Sequence, residues 1–235
     1  MQRVDSEEIL DSDQCPAPEV KTSLRDLCRI NRWFGGVGTT RALLEKVARQ
    51  AGRKQLSVLE VAAGFGEVPR IAASQLARKG ITVDITDLDR VATHLRRGHR
   101  ALVADALALP FCDDSFDVVS CSLFTHHLRP DEVTRFAREA TRVCRHAVLI
   151  NDLIRHPLHL ALVYAGFPLM RSYVSRVDGV TSVKRAYISE EMRQMLARGV
   201  DPEDRIEISR HYLFRMGVIV WKAPRPAVSQ SLAAD

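Results

Sequence analysis

Leu56-Ser57-Val58-Leu59-Glu60-Val61-Ala62-Ala63-Gly64-Phe65-Gly66 is the stretch that decides the fold of this chain. Its first six residues form a mostly apolar run of the length of a buried strand. The run ends in a loop with glycines at 64 and 66, after which Val68, Ile71, Ala72 and Leu76 recur at helical spacing until Gly80. Glycines in such a loop let the backbone approach a ligand and turn sharply into the helix. A strand that passes through a glycine loop into a helix is the opening unit of a parallel α/β sheet.

Reading outward, the alternation continues. Ile81, Val83 and Ile85 predict a second strand, and a short helix is expected near Asp89. Ala101–Val103 and Phe116–Leu123 read as the third and fourth strands. Pro130-Asp131-Glu132 suits a helical first turn, with Val133, Phe136, Ala137, Ala140 and Val143 as the inner face. Ala147–Asn151 is a fifth strand, and Ile206–Ser209 with Tyr212–Trp221 close the sheet as an antiparallel pair. The fold class is α/β: a doubly wound, Rossmann-like, seven-stranded and mostly parallel sheet with helices on both faces.

The flanking segments complete one domain over residues 21–224, with 56–153 as the cofactor-binding core. Residues 1–20 are polar with Pro16 and Pro18 and read as a mobile lead-in. Residues 21–52 hold two helices, a short one around Leu24–Ile30 and another over Thr39–Gln50, joined through Trp33-Phe34-Gly35-Gly36. Residues 154–200 are expected to form a substrate cap, including a helix at Ser189–Arg198. Residues 201–224 hold the closing strands, and 225–235 are a tail.

Composition narrows the setting. The net charge of +5 comes from arginines spread along the chain, with no run of five like charges, so no nucleic-acid stripe is drawn. Five cysteines are scattered and never spaced C-x-x-C, which fits free thiols in a reducing cytosol and no structural zinc site. The first residues are acidic, unlike a secretory signal, and the apolar run Leu158–Met170 is too short to span a bilayer. A cytoplasmic protein without stable membrane insertion is expected.

In open α/β sheets the strand-to-helix loops carry the chemistry. Asp87, placed at the end of strand two, can accept both hydroxyls of a ribose; Asp84 falls mid-strand. Asp105-Ala106, followed by Leu109-Pro110-Phe111, can meet an adenine amino group and hold its ring. Each acid taken alone reads equally as a helix cap or a solvated loop residue.

Taken in order, Leu59 to Gly66, Asp87, Asp105-Ala106-Leu107-Ala108-Leu109-Pro110-Phe111 and Ser115-Phe116-Asp117-Val118-Val119 resemble the class I S-adenosylmethionine-dependent methyltransferases. The look is that of the small-molecule branch containing the ubiquinone- and menaquinone-biosynthesis enzymes, over residues 56–153. The resemblance implies S-adenosyl-L-methionine as cofactor. It puts the methionine moiety on the loop at Glu60, Ala62, Gly64 and Gly66, the ribose on Asp87 beside Leu88, and the adenine on Asp105 and Ala106. Ser122 joins the cofactor-binding candidates. Ala62 stands where the family usually has its first glycine.

Methyl transfer requires in-line placement of a nucleophile against the sulfonium methyl, and a base when the acceptor is a hydroxyl. His126 and His127, after strand four, are the candidate bases; read from sequence, adjacent residues point different ways. Trp33 and Phe34 beside Gly35-Gly36 could wall a lid, and Leu158, Leu160, Leu162, Val163, Tyr164, Phe167, Met170 and Tyr173 could line an apolar acceptor pocket. Both groups read equally as core or as a dimer face. The expected acceptor is a small, partly apolar metabolite, methylated on oxygen or carbon; a homodimer is open.

Three rivals are weighed. A polynucleotide methyltransferase would want an Asn/Asp-Pro-Pro-Tyr-like motif or a Pro-Cys nucleophile, and neither is present. A dinucleotide oxidoreductase needs glycine or alanine where Pro69 stands. A non-catalytic scaffold would have no use for the acids and glycines.

Overall fold

The computed structural model describes residues 1–11, 16–96 and 98–224. Seven strands form one sheet in the order β3-β2-β1-β4-β5-β7-β6. They are β1 (Gln55–Val61), β2 (Thr82–Asp89), β3 (Ala101–Val103), β4 (Phe116–Ser122), β5 (Cys144–Leu153), β6 (Arg205–His211) and β7 (Arg215–Trp221). The first five run parallel; β7 lies antiparallel between β5 and β6, so the expected closing pair is a hairpin. The strand order reverses between β1 and β4, the point where doubly wound sheets open a ligand crevice.

Helices cover both faces because the central strands are buried on both. Helices α2 (Gly36–Gln50) and α3 (Glu67–Ala77) pack on one face, burying Leu44, Val47 and Leu76 against Leu56, Val58 and Ile219. On the other face lie α4 (Pro130–Val143) and α7 (Ser189–Gly199), with Phe136, Ala140, Met192 and Leu196 set against Leu59, Val119 and Ile150. Helix α4 starts where the sequence says: Pro130 needs no partner for a missing N–H, and Glu132 accepts the Arg129 N–H at 2.8 Å.

Helices α1 (Ala17–Trp33), α5 (Pro157–Ala165) and α6 (Tyr173–Arg185) form the cap over the carboxyl edge. Helix α1 is far longer than its apolar core suggests. Helix α6 was not expected at all, because it buries Ser175, Asp178 and Arg185 beside Val174 and Val183, which blurs an amphipathic period. The expected helix near Asp89 is only a 3-10 turn at Ala92–His94.

The described part of the amino-terminal segment corrects the lead-in reading, since residues 1–11 are docked along the cap. Val4 N–H donates to Lys184 O, and Arg3 Nε to Arg185 O at 2.7 Å with its guanidinium over the Tyr187 ring. The N–H groups of Ile9 and Leu10 both end on the Asp178 carboxylate. This segment offers no apolar run of its own; its anchors are polar groups on a helix 170 residues away, invisible to local patterning. Residues 225–235, read as a tail, lie outside the described residues.

Candidate active site at the carboxyl edge of the sheet

The glycine loop leaves β1 with Ala62 at φ +53°, Gly64 at +52° and Gly66 at +62°. Ala62 therefore adopts a left-handed backbone that glycine reaches without strain. Left-handed φ costs a non-glycine residue about 1–2 kcal/mol, so the loop carries strain at its first turn. A Cβ on Gly64 would meet open space, whereas one on Gly66 would collide with Arg70 and Asp87.

Glu60 is almost wholly buried at the end of β1, directly across from Asp87 in the β1–β2 register. Burial raises its carboxyl to about 7, against hydrogen bonds from Ser120 and Ser122, and its Oε2 has no hydrogen-bond partner. Ser122 thus sits beneath the loop, with its hydroxyl 3.5 Å from Thr40 Oγ1.

Strand β2 runs two residues past Asp87, so Asp89 and not Asp87 ends it. Asp87 is fully buried and ion-paired with Arg70 of α3 at 2.7 Å, and a ribose reaches it only if that guanidinium turns aside. Asp89 accepts the N–H groups of Gly64 and Val91, both at 2.9 Å, and so clamps the glycine loop; sequence reading missed this role. Leu88, grouped with the cofactor residues, instead packs its side chain in the core and gives its carbonyl to Ala63 N–H. Asp105 is exposed at the end of β3, with Oδ1 on Leu107 N–H, and Ala106 is buried beside it.

His126 and His127 lie in a 3-10 turn after β4, their rings 4.3 Å apart. They do not diverge as expected: both face Glu8, at 3.5 Å from His126 Nε2 and 3.8 Å from His127 Nε2. Buried His126 also holds Asp152 through Nδ1 at 2.6 Å. Burial lowers its pKa, but the adjoining Asp152 and Glu8 carboxylates override that and push it up to about 10. Both ring nitrogens are thus engaged by carboxylates, which removes His126 as a general base. His127 is less buried and borders the cavity described next. Among the described residues, Glu8, His126 and His127 are the one group whose donor atoms, all within 4.8 Å of one another, could ligate a cation. Their hydrogen bonds to Asp152 and Ser182 account for the cluster without one.

A cavity of about 220 Å³ opens between the cap and the carboxyl ends of β4 and β5. Its walls are mostly apolar, among them Leu27, Phe34, Leu123, Val163 and Met170. Glu8, His126 and His127 mark one polar part of the wall, and Arg215 another. Of the residues expected to line it, Phe34, Leu162, Val163 and Met170 do, and Trp33, Tyr164 and Phe167 do not. Trp33 is exposed with Arg29 over its ring, whereas Phe34 faces in; Tyr164 and Phe167 lie against each other outside with their rings tilted by 58°, while Val163 and Gly166 face in. Helical phase decides this, since a one-residue step turns a side chain by about 100°. The Phe34–Gly36 junction is tied to the sheet: Asn151 donates to Gly36 O, and Arg215 to the nearby Asn31 Oδ1 at 2.6 Å.

Arg215 is 2% exposed, and burial lowers its pKa to about 10 despite the charge of Asp152. Sequence reading passed over it, although it is the one charge within the apolar run Leu213–Trp221.

Residues 59–150 match the family described as "Methyltransferase domain". No curated protein matches the chain in sequence. In three dimensions it is similar to the plantazolicin methyltransferase BpumL, solved with SAH: TM-score 0.65 at 12% identity, over 92% of this chain and 93% of that one. It is also similar to a SAM-dependent methyltransferase from Aquifex aeolicus, with TM-score 0.51 and 16% identity over 76% and 89% of the two chains. A third, from Methanosarcina mazei, gives TM-score 0.52 and 17% identity over 74% and 95%. Sheet order and loop order are those of the Rossmann-like methyltransferase fold, and residues 59–150 carry the sequence match to a methyltransferase domain.

Proposed function

We propose that this protein transfers a methyl group from S-adenosylmethionine to a small, partly apolar acceptor held in the cavity beneath the cap. The observation that carries the reading is the division of the sheet's carboxyl edge. The glycine loop and the acids of β1–β3 form one half, and a partly open apolar cavity on β4–β5 forms the other.

The first half fits the cofactor: Glu60 Oε2 is buried without a partner, Gly64 leaves open space, and Asp105 is exposed at the strand end. When bound, the cofactor supplies an electrophilic methyl on a sulfonium. Glu60 and the loop would hold the methionine moiety, Asp87 the ribose once Arg70 yields, and Asp105 with Ala106 the adenine. An apolar cavity of about 150 Å³ takes up benzene, so this one has room for a substituted ring. The acceptor is then a phenolic, quinone-like or polyketide-like compound, methylated on oxygen or carbon. Its nucleophile would stand at the Glu8–His127 end, where His127 is the ring placed to receive a proton and His126 positions the turn. Among the described residues no helix is long and apolar enough to cross a membrane, and Cys28, Cys112, Cys121 and Cys144 are free thiols, which suits a cytosolic enzyme.

Calorimetric titration with S-adenosylmethionine, S-adenosylhomocysteine and NADH tests the reading. Micromolar binding of both adenosyl ligands and none of NADH is expected. Asp87→Ala and Gly64→Val should each weaken binding about a hundredfold, the loss of two hydrogen bonds to a charged group or of the loop conformation, with circular dichroism unchanged. Wild-type affinity in Asp87→Ala would move the ribose to another acid.

A further inference from the structure

We infer that Arg215 is an anion anchor, and that the acceptor carries a carboxylate or equivalent oxyanion as well as its nucleophile. The inference rests on the function proposed above for the word acceptor, but not for the binding itself.

Among the described residues that line the cavity, Arg215 alone has a buried side-chain nitrogen or oxygen, Nη1, without a hydrogen-bond partner. Its Nη2 is spent on Asn31, which holds the guanidinium plane in place. The carboxylates around the cavity are committed elsewhere. Asp152 accepts from His126 Nδ1, Thr125 Oγ1 and the N–H groups of His126 and Leu153. Asp178 takes the N–H groups of Ile9 and Leu10, and Glu8 takes Ser182 Oγ and faces the two histidines. His159, another polar wall residue, gives Nδ1 to Ile154 O and is disfavoured as a cation by its burial.

A fixed guanidinium with an unspent N–H in apolar walls is costly until an oxygen reaches it, and an anionic oxygen gives the strongest bond. Arg215 is poorly suited to a neutral hydrocarbon, because the cavity would close over an unpaired donor. Held at Arg215, a hydroxy acid or enolic acid would leave its second oxygen or a ring carbon for the methyl group. The carboxylate is thus the handle and not the reacting group.

The test uses pairs of probes matched in shape: benzoate and benzyl alcohol, phenylacetate and 2-phenylethanol, cinnamate and cinnamyl alcohol. Each is titrated calorimetrically into the full-length protein saturated with S-adenosylhomocysteine, and again without it. At least one acid should bind about tenfold or more tightly than its alcohol, as a charge-assisted bond gives. Arg215→Met should erase that preference, and Arg215→Lys should keep part of it. Equal binding within every pair, no acid binding at millimolar concentration, or a preference that survives in Arg215→Met overturns the anchor. The wild-type comparison decides alone if the methionine variant does not fold. Acid preference without S-adenosylhomocysteine binding would sink the methyltransferase reading and leave the anchor standing; the reverse result would sink only the anchor.

Discussion

At the scale of single residues, the site is built from side chains in conformations or surroundings they ordinarily avoid. Ala62 holds φ +53°, as Leu123 does at +56°, each just past the carboxyl end of a central strand. Both mark where the chain must leave the sheet abruptly to keep ligand space open. Ala62→Gly removes about 1–2 kcal/mol of left-handed strain and adds about 0.4–1 kcal/mol of unfolded-state entropy, so a net gain between about 0 and 1.6 kcal/mol is expected. Urea denaturation checks it, and a loss of stability would mean the strain is already relaxed by the Ala63 N–H bond to Leu88 O.

At the scale of elements, strand packing sets the chemistry of Glu60. Paired between β2 and β4, it is removed from water, and that burial raises its pKa to about 7. A cationic methionine moiety favours its ionised form. Below pH 7 a proton must therefore leave before the cofactor binds, and affinity should fall about tenfold per pH unit. Above pH 8 the dependence should vanish. Calorimetry from pH 5.5 to 8.5 measures this, with Glu60→Gln expected to flatten the curve; an unchanged slope in that variant assigns the proton to another group. The cap elements show a similar dependence on packing. Helix α6 carries Asp178 and Ser182 inward, and these are what residues 8–10 bind.

At the scale of the whole molecule, the amino-terminal segment closes the acceptor end of a site whose cofactor end lies on the first three strands. Glu8 and Leu10 line the cavity from one end of the sequence, and Leu213 and Arg215 from the other. Deleting residues 1–10 should raise the acceptor KM about tenfold or more and leave S-adenosylhomocysteine affinity within about twofold, because only one half loses contacts. Steady-state kinetics paired with calorimetry reads both, and a parallel loss of cofactor binding would show that the halves are not separable. What the sequence by itself determined is the sheet: apolar strand runs, Gly64 and Gly66, the first-turn acids of α4 and the acids within β2 and after β3 act over a few residues, and local patterning reports them. Only the tertiary structure decided the acceptor end. Glu8 meets His126 across 118 positions, Arg70 covers Asp87 from a neighbouring helix, and Phe34 faces the cavity where Trp33 does not. Those outcomes depend on helical phase and on polar bonds between distant segments, for which a stretch of sequence carries no periodic signal.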